Sequence, residues 1–184
     1  MQFVFSVLSD NSASLAMHGQ GGDDMGMNEK LKRCRDFGSV FGLVKDAVED
    51  TMGERRPGLM LALQQLPENI GALHPVGTSF IVMNKDMLKK VRAFYGQETF
   101  NSCVFYVLLH EYLHTLGYLN EADVYRLSYL ICRRVLGERH ASTMIARHGI
   151  GSVMPEIGIQ VQHPSDDWLE IVDGFDSENM SYIG

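Results

Sequence analysis

Two histidines and a glutamate stand close together in the segment His110-Glu111-Tyr112-Leu113-His114. If this segment is an α-helix, residues four positions apart lie on one face about one turn apart, so both imidazoles can bind the same metal ion. Neutral imidazole nitrogens are good ligands of zinc (Zn²⁺), at about 2 Å. Glu111 then lies beside the metal without binding it, where its carboxylate can take a proton from a water molecule whose pKa the zinc lowers towards about 7. The HExxH pattern therefore predicts a zinc-dependent hydrolase with Glu111 as the general base.

The helix that carries this pattern is predicted over residues 101–116, and apolar residues cover almost its whole surface. A helix that is apolar all round is a buried helix. Burying two histidines and a glutamate without partners would cost several kcal/mol, and a bound metal removes that cost. Gly117 follows and ends the helix. The expected burial and the HExxH pattern thus support the same interpretation.

The elements around this helix predict a mixed fold. A second amphipathic helix follows over residues 121–136, and Asn120 is well placed as its N-cap. Apolar residues at strand or helix spacing predict further strands over residues 1–8, 59–63 and 78–83, and further helices over residues 39–52 and 85–95. We therefore expect an α+β fold in which the buried metal helix and its partner helix pack on a small mixed β-sheet.

Composition and charge indicate one domain with an acidic end. The chain has 184 residues, of which 45% are hydrophobic and 21% charged, which is enough to bury a core. We place the catalytic domain at residues 1–162, because residues 163–184 carry six acids and no Lys or Arg. Such a segment predicts a solvated tail or an interaction arm, which can also fold over the cleft and inhibit it. The formal net charge of −7 argues against nucleic acids and anionic membranes as partners.

The cysteines and the apolar segments indicate the compartment. Three cysteines far apart form no disulfide framework and no thiolate metal site, and Cys103 and Cys132 stand among apolar neighbours that predict buried thiols. The apolar residues 1–8 lack the basic start and the cleavage pattern of a signal peptide. No apolar run is long enough to span a bilayer. We therefore expect a cytoplasmic protein.

The sequence HEYLHTLG, preceded by a strand and a connecting helix, resembles the active-site region of the zincin superfamily of metallopeptidases. The resemblance covers residues 78–136, about a third of the chain, and the chain is also similar in size to small zincin-like proteins of microbes. It implies hydrolysis of a peptide bond in a peptide or protein substrate. In that superfamily an edge strand of the sheet aligns the substrate above the metal, and the resemblance gives this role to residues 78–83.

Metzincins and gluzincins, two groups of zincins, differ in the residue that supplies the third metal ligand. Metzincins have a His or Asp where this chain has Asn120, and a neutral amide is a poor zinc ligand. Gluzincins place a glutamate on the following helix, which here offers Glu121 and Glu138. In an antiparallel hairpin of the two helices, Glu121 lies beside His114, while Glu138 lies roughly 25 Å further along.

His140 is excluded as the third ligand by the same geometry. We therefore predict Glu121 as the third ligand, although an acid in the first turn of a helix is also favourable without a metal. Asp123 is a candidate for a hydrogen bond to a ligating histidine.

Three other side chains are candidates for the cleft. His74 precedes the predicted strand at residues 78–83 and either lines the cleft or is a plain loop residue. Tyr112 lies between the two histidines and Tyr118 just after the helix, and each either donates a hydrogen bond to an oxyanion or packs in the core.

Two functions other than hydrolysis also fit the sequence. The first is a zinc-binding protein without peptidase activity, whose metal would have a fourth protein ligand if its role were structural. The second is an interaction module built on the apolar helical hairpin and the acidic tail, in which the HExxH spacing is accidental.

Overall fold

The computed structural model describes residues 25–158 and 168–176. The helices are α1 (Met27–Arg33), α2 (Phe37–Met52), α3 (Lys85–Phe94), α4 (Gln97–Thr115), α5 (Glu121–Leu136), α6 (Ala141–His148) and α7 (Ile150–Val153), followed by a 3-10 turn at Pro155–Gly158. The strands are β1 (Met60–Gln64), β2 (Ala72–Leu73), β3 (Phe80–Asn84) and β4 (Glu170–Val172). The α+β fold with a small mixed sheet is therefore confirmed. The strand predicted over residues 1–8 and the boundary at residue 162 lie outside the described residues.

The four strands form one sheet in the order β2-β3-β1-β4. The pair β1 and β3 is parallel, from Met60 opposite Phe80 to Gln64 opposite Asn84, and the two outer strands each run antiparallel to their neighbour. The strand predicted over residues 78–83 exists as β3, but its expected position at the edge is wrong. The two-residue strand β2 pairs with β3 and takes the edge instead.

Helix α4 is the central helix of the core. It begins at Gln97, four residues before the predicted start, and most of its residues after the first turn are buried on every side. Helices α2, α3, α5 and α6 all contact it. Tyr112 is fully buried there, with the edge of its ring against Phe41 at 5.4 Å between centroids. The predicted burial of the metal helix is confirmed.

A short turn joins α4 to α5 and sets where α5 begins. Gly117 adopts a φ of +101°, a conformation that side chains other than glycine rarely tolerate. The Asn120 side chain then accepts hydrogen bonds from the backbone N–H groups of Ala122 and Asp123, at 2.9 and 3.3 Å. Asn120 is thus the N-cap that the sequence predicts, and the first residue of α5 is Glu121. Helix α5 contacts α4.

Part of the segment expected to be a solvated acidic tail belongs to the fold. Strand β4 pairs with β1, on the side of the sheet opposite to β2. The carboxylate of Asp176 is fully buried, accepts a hydrogen bond from Lys45 Nζ at 2.6 Å, and also accepts from the backbone N–H groups of Gly58 and Leu59. Within residues 168–176, Phe175 and Asp176 are thus buried in the fold, whereas Trp168, Leu169 and most of β4 remain exposed to solvent.

We expect replacement of Asp176 by asparagine to lower the free energy of unfolding by about 3–5 kcal/mol, because it removes the carboxylate charge that faces the buried Lys45 ammonium at 2.6 Å. Urea unfolding followed by circular dichroism measures the change. The matched control is Lys85→Met, which removes the exposed ion pair that Lys85 makes with Glu170 of β4 and should cost at most about 1 kcal/mol. Equal losses in the two variants would contradict a structural role for the buried pair.

The structure also shows the state of the cysteines and whether any described helix could cross a membrane. Cys34, Cys103 and Cys132 are all buried free thiols, as predicted for the last two. Within residues 25–158 and 168–176, no helix combines the length and the apolar character needed to cross a bilayer.

Candidate metal centre

Three side chains converge where α4 ends and α5 begins. His110 Nε2 and His114 Nε2 lie 3.3 Å apart. One carboxylate oxygen of Glu121 lies 3.2 Å from His110 Nε2, and the other lies 3.2 Å from His114 Nε2. In the part of the chain that the structure describes, these three are the group of His, Cys, Asp and Glu side chains that can hold a metal ion. The predicted set of His110, His114 and Glu121 is thus brought together.

The spacing of these atoms fits tetrahedral zinc. Bonds of about 2.0–2.1 Å at tetrahedral angles place two ligand atoms about 3.3 Å apart, which matches the 3.3 Å between the two imidazole nitrogens. Each nitrogen also lies 3.2 Å from a different oxygen of the Glu121 carboxylate. Two imidazole nitrogens and a carboxylate oxygen are also ligand types that zinc prefers. The described residues thus provide three side chains that could bind one metal ion.

The hydrogen bonds of the histidines leave the Nε2 atoms as the ligand atoms. His114 Nδ1 lies 2.8 Å from the carbonyl oxygen of Tyr118, so this nitrogen carries the proton and Nε2 of the neutral ring has a free lone pair. His110 Nδ1 is buried and has no hydrogen-bond partner among the described residues, so His110 makes its polar contacts through Nε2. Burial lowers the pKa of His110 and favours the neutral form that binds metals. Nitrogen lone pairs so close together repel unless a proton or a cation lies between them.

Glu111 lies beside this triad but is not part of it. Its carboxyl group is buried, and burial raises its pKa to about 8, with the negative charge of Glu121 adding to the rise. A hydrogen bond from the backbone of His74 acts in the opposite direction. A cation held by the triad would favour the carboxylate form through its charge. Glu111 is thus a buried carboxyl group next to the three side chains that could hold a metal.

The triad opens onto a cavity of about 660 Å³. Besides the triad and Glu111, its lining includes β2, His74, Val76, Leu119 and Tyr125. A concave, largely apolar site with a few convergent polar groups is typical of ligand binding. The triad is therefore accessible to a ligand from this cavity.

The other candidates for the third ligand have different roles. Asn120 caps α5, and Asp123 is exposed and pairs with Arg126 at 3.6 Å. Glu138 pairs with Arg133 and Arg147 on the surface. His140 caps α6 and accepts a hydrogen bond from the backbone N–H of Ser142. The structure brings none of these four side chains into the metal-binding group.

The aromatic and histidine candidates are divided between the core and the cavity. The Tyr112 hydroxyl accepts a hydrogen bond from the Arg56 backbone N–H at 2.6 Å, and the Tyr118 hydroxyl donates to Glu54 at 2.5 Å, so both hydroxyls have partners other than an oxyanion. His74 does line the cavity, and its Nδ1 lies 2.8 Å from the carbonyl oxygen of Phe80.

Sequence reasoning missed Tyr125, whose ring centroid lies 4.9 Å from that of His110. The signal was available, because Tyr125 follows Glu121 by four positions on α5 and therefore shares its face.

The edge strand β2 forms one side of the cavity. The carbonyl oxygen of Gly71 accepts a hydrogen bond from the Asn84 backbone N–H at 2.9 Å, which directs the backbone of Gly71 towards β3. Backbone direction alternates along a strand, so the N–H and C=O of Ala72 point away from β3. Because Ala72 also lines the cavity, β2 presents a strand edge beside the triad that no other strand within residues 25–158 and 168–176 pairs with.

No family model, curated protein or solved structure matches this chain. The function has therefore to be inferred from the metal centre and its surroundings.

Proposed function

We propose that this chain is a zinc-dependent metallopeptidase that hydrolyses peptide bonds, with Glu111 as the general base. The observation that carries the proposal is the convergence of His110, His114 and Glu121 at zinc-ligand spacing beside a buried glutamate. A purely structural zinc site requires a fourth protein ligand, and the described residues offer three beside an open cavity. This favours catalysis over a structural role.

When bound, zinc would polarise the substrate carbonyl and lower the pKa of a water molecule at the open position. The residues of the chain perform the remaining tasks. Glu111 accepts the proton of the water and later gives it to the leaving amine. Its burial keeps bulk water away from the carboxyl group, and the charge of a bound metal would favour the carboxylate form that accepts the proton.

A peptide is the substrate that suits the edge of β2. An extended peptide can add as a further strand to an unpaired sheet edge and is held by main-chain hydrogen bonds. The Ala72 N–H and C=O supply such groups next to the metal centre. This strand, rather than β3, takes the aligning role that the resemblance to zincins gave to residues 78–83.

The proposal is tested with the purified full chain and a mixed peptide library analysed by mass spectrometry. We expect about one zinc per chain by elemental analysis and cleavage products that disappear after treatment with a chelator. Re-addition of zinc should restore cleavage, whereas magnesium should not, because Mg²⁺ prefers oxygen ligands. Stoichiometric zinc without cleavage of any peptide would favour a non-catalytic zinc protein. Absence of bound metal would favour an interaction module with an accidental HExxH spacing.

A further inference from the structure

Exposed apolar side chains surround the mouth of the metal cavity. Val76 is 78% exposed, Leu119 is 65% exposed and Tyr125 is 50% exposed, and all three line the cavity. They come from the loop after β2, from the turn between α4 and α5, and from α5 itself. Large apolar groups that remain exposed around a concave site are typical of binding surfaces. They favour a ligand that brings apolar side chains to this mouth.

The charges of the cavity restrict which part of a peptide it can bind. The described residues that line it include two glutamates and three histidines but no Lys or Arg. A free C-terminal carboxylate is usually bound by a cationic side chain, and this lining offers none. A free N-terminal ammonium needs a carboxylate, but Glu121 contacts the two metal-binding histidines and Glu111 is buried beside them. The described lining of the cavity therefore offers no oppositely charged side chain that is available to bind either end of a peptide.

The exposed edge of β2 also favours an internal segment of a peptide over its ends. The outward N–H and C=O of Ala72 are free to pair with an extended backbone, which is held best where it continues on both sides of the bond to be cleaved. An internal segment of a polypeptide provides such a backbone and brings no terminal charge.

We propose that the substrate is an internal polypeptide segment with uncharged apolar side chains next to the bond that is cleaved, so that the chain is an endopeptidase. The inference rests on the proposed peptidase function. In the reaction, water adds its oxygen to the carbonyl carbon, the C–N bond breaks, and the proton that Glu111 accepted passes to the leaving nitrogen. The reaction requires no co-reactant other than water.

The first experiment compares blocked and free peptides with the zinc-loaded full chain. The reference peptide carries an apolar pair in its centre and has both ends blocked. Two further blocked peptides of the same length have Lys or Glu in place of that pair. Two short peptides place the apolar pair next to a free end. We expect the blocked apolar peptide to be cleaved internally, at least about 10-fold faster than the Lys and Glu peptides. Cleavage confined to the free ends, or equal rates for all three centres, would overturn the inference.

The second experiment places a cation at the mouth. Leu119→Lys should shift the preference towards the Glu peptide by about 10-fold relative to the unmodified chain, because the new ammonium pairs with the substrate carboxylate. The control is Leu130→Lys, since Leu130 is likewise an exposed leucine but lies on α5 and does not line the cavity. Circular dichroism checks that both variants fold. A preference that is unchanged in Leu119→Lys, or shifted equally in the control, would remove Leu119 from the substrate site.

The two proposals fail in different ways. If the zinc-loaded chain cleaves no peptide, the peptidase function itself is wrong. If it cleaves peptides only from a free end, or without regard to apolar residues, the peptidase function holds and the endopeptidase assignment is wrong.

Discussion

Replacement of Glu111 by glutamine is expected to leave zinc bound and to reduce peptide hydrolysis by about 10²–10⁴-fold. Glutamine has nearly the same shape as glutamate, so the buried surroundings of this side chain should change little. Its amide cannot accept the proton of the attacking water. Because Glu111 is outside the triad of His110, His114 and Glu121, the metal ligands should keep their positions.

Elemental analysis and the peptide assay together measure this effect. The matched control is Glu138→Gln, which makes the same chemical change in a surface glutamate that pairs with Arg133 and Arg147. The control should retain both zinc and activity. A Glu111→Gln variant that cleaves peptides as fast as the unmodified chain would exclude Glu111 as the general base.

Loss of the third ligand should have the second large effect. We expect Glu121→Ala to weaken zinc binding by more than 100-fold, since even groups that only orient a ligand typically account for about 10–100-fold. The Glu121 side chain is largely exposed and Glu121 begins α5, so its truncation should leave the core unchanged. The expected loss therefore reports on the metal and not on folding.

Competition with a chromophoric chelator measures zinc affinity in this variant. Glu138→Ala and His140→Ala are the controls, because both residues were candidates for the third ligand and neither joins the triad. Both should bind zinc as the unmodified chain does. If either control loses more affinity than Glu121→Ala, the metal is bound by a different set of residues.

The metal helix and its partner could be predicted because the signals that define them are local. The apolar surface of α4, the glycine at position 117 and the cap at Asn120 all act within a few residues of the segment they shape. Once both helices and a short turn are expected, helix geometry alone places Glu121 near His114 and Glu138 far from it. The candidate site followed from this local geometry.

The sheet edges could not be predicted, because both depend on contacts between distant parts of the chain. Strand β2 has two residues, too few to show an alternating pattern, and it exists because it pairs with β3. Strand β4 lies in an acidic segment whose composition indicates solvent exposure. Its attachment depends on β1 and on the ion pair between Asp176 and Lys45, 131 positions apart in the chain.

The long sequence separation of Lys45 and Asp176 affects the order in which parts of the molecule fold. The metal ligands all lie within residues 110–121 of one helical hairpin, whereas the contact between Lys45 and Asp176 must close a loop of most of the described chain. Contacts between distant residues form slowly, because the entropy of loop closure is lost before the contact is gained. We therefore expect the side chains of His110, His114 and Glu121 to come together early in folding, when the hairpin forms. Strand β4 should join the sheet as one of the last steps.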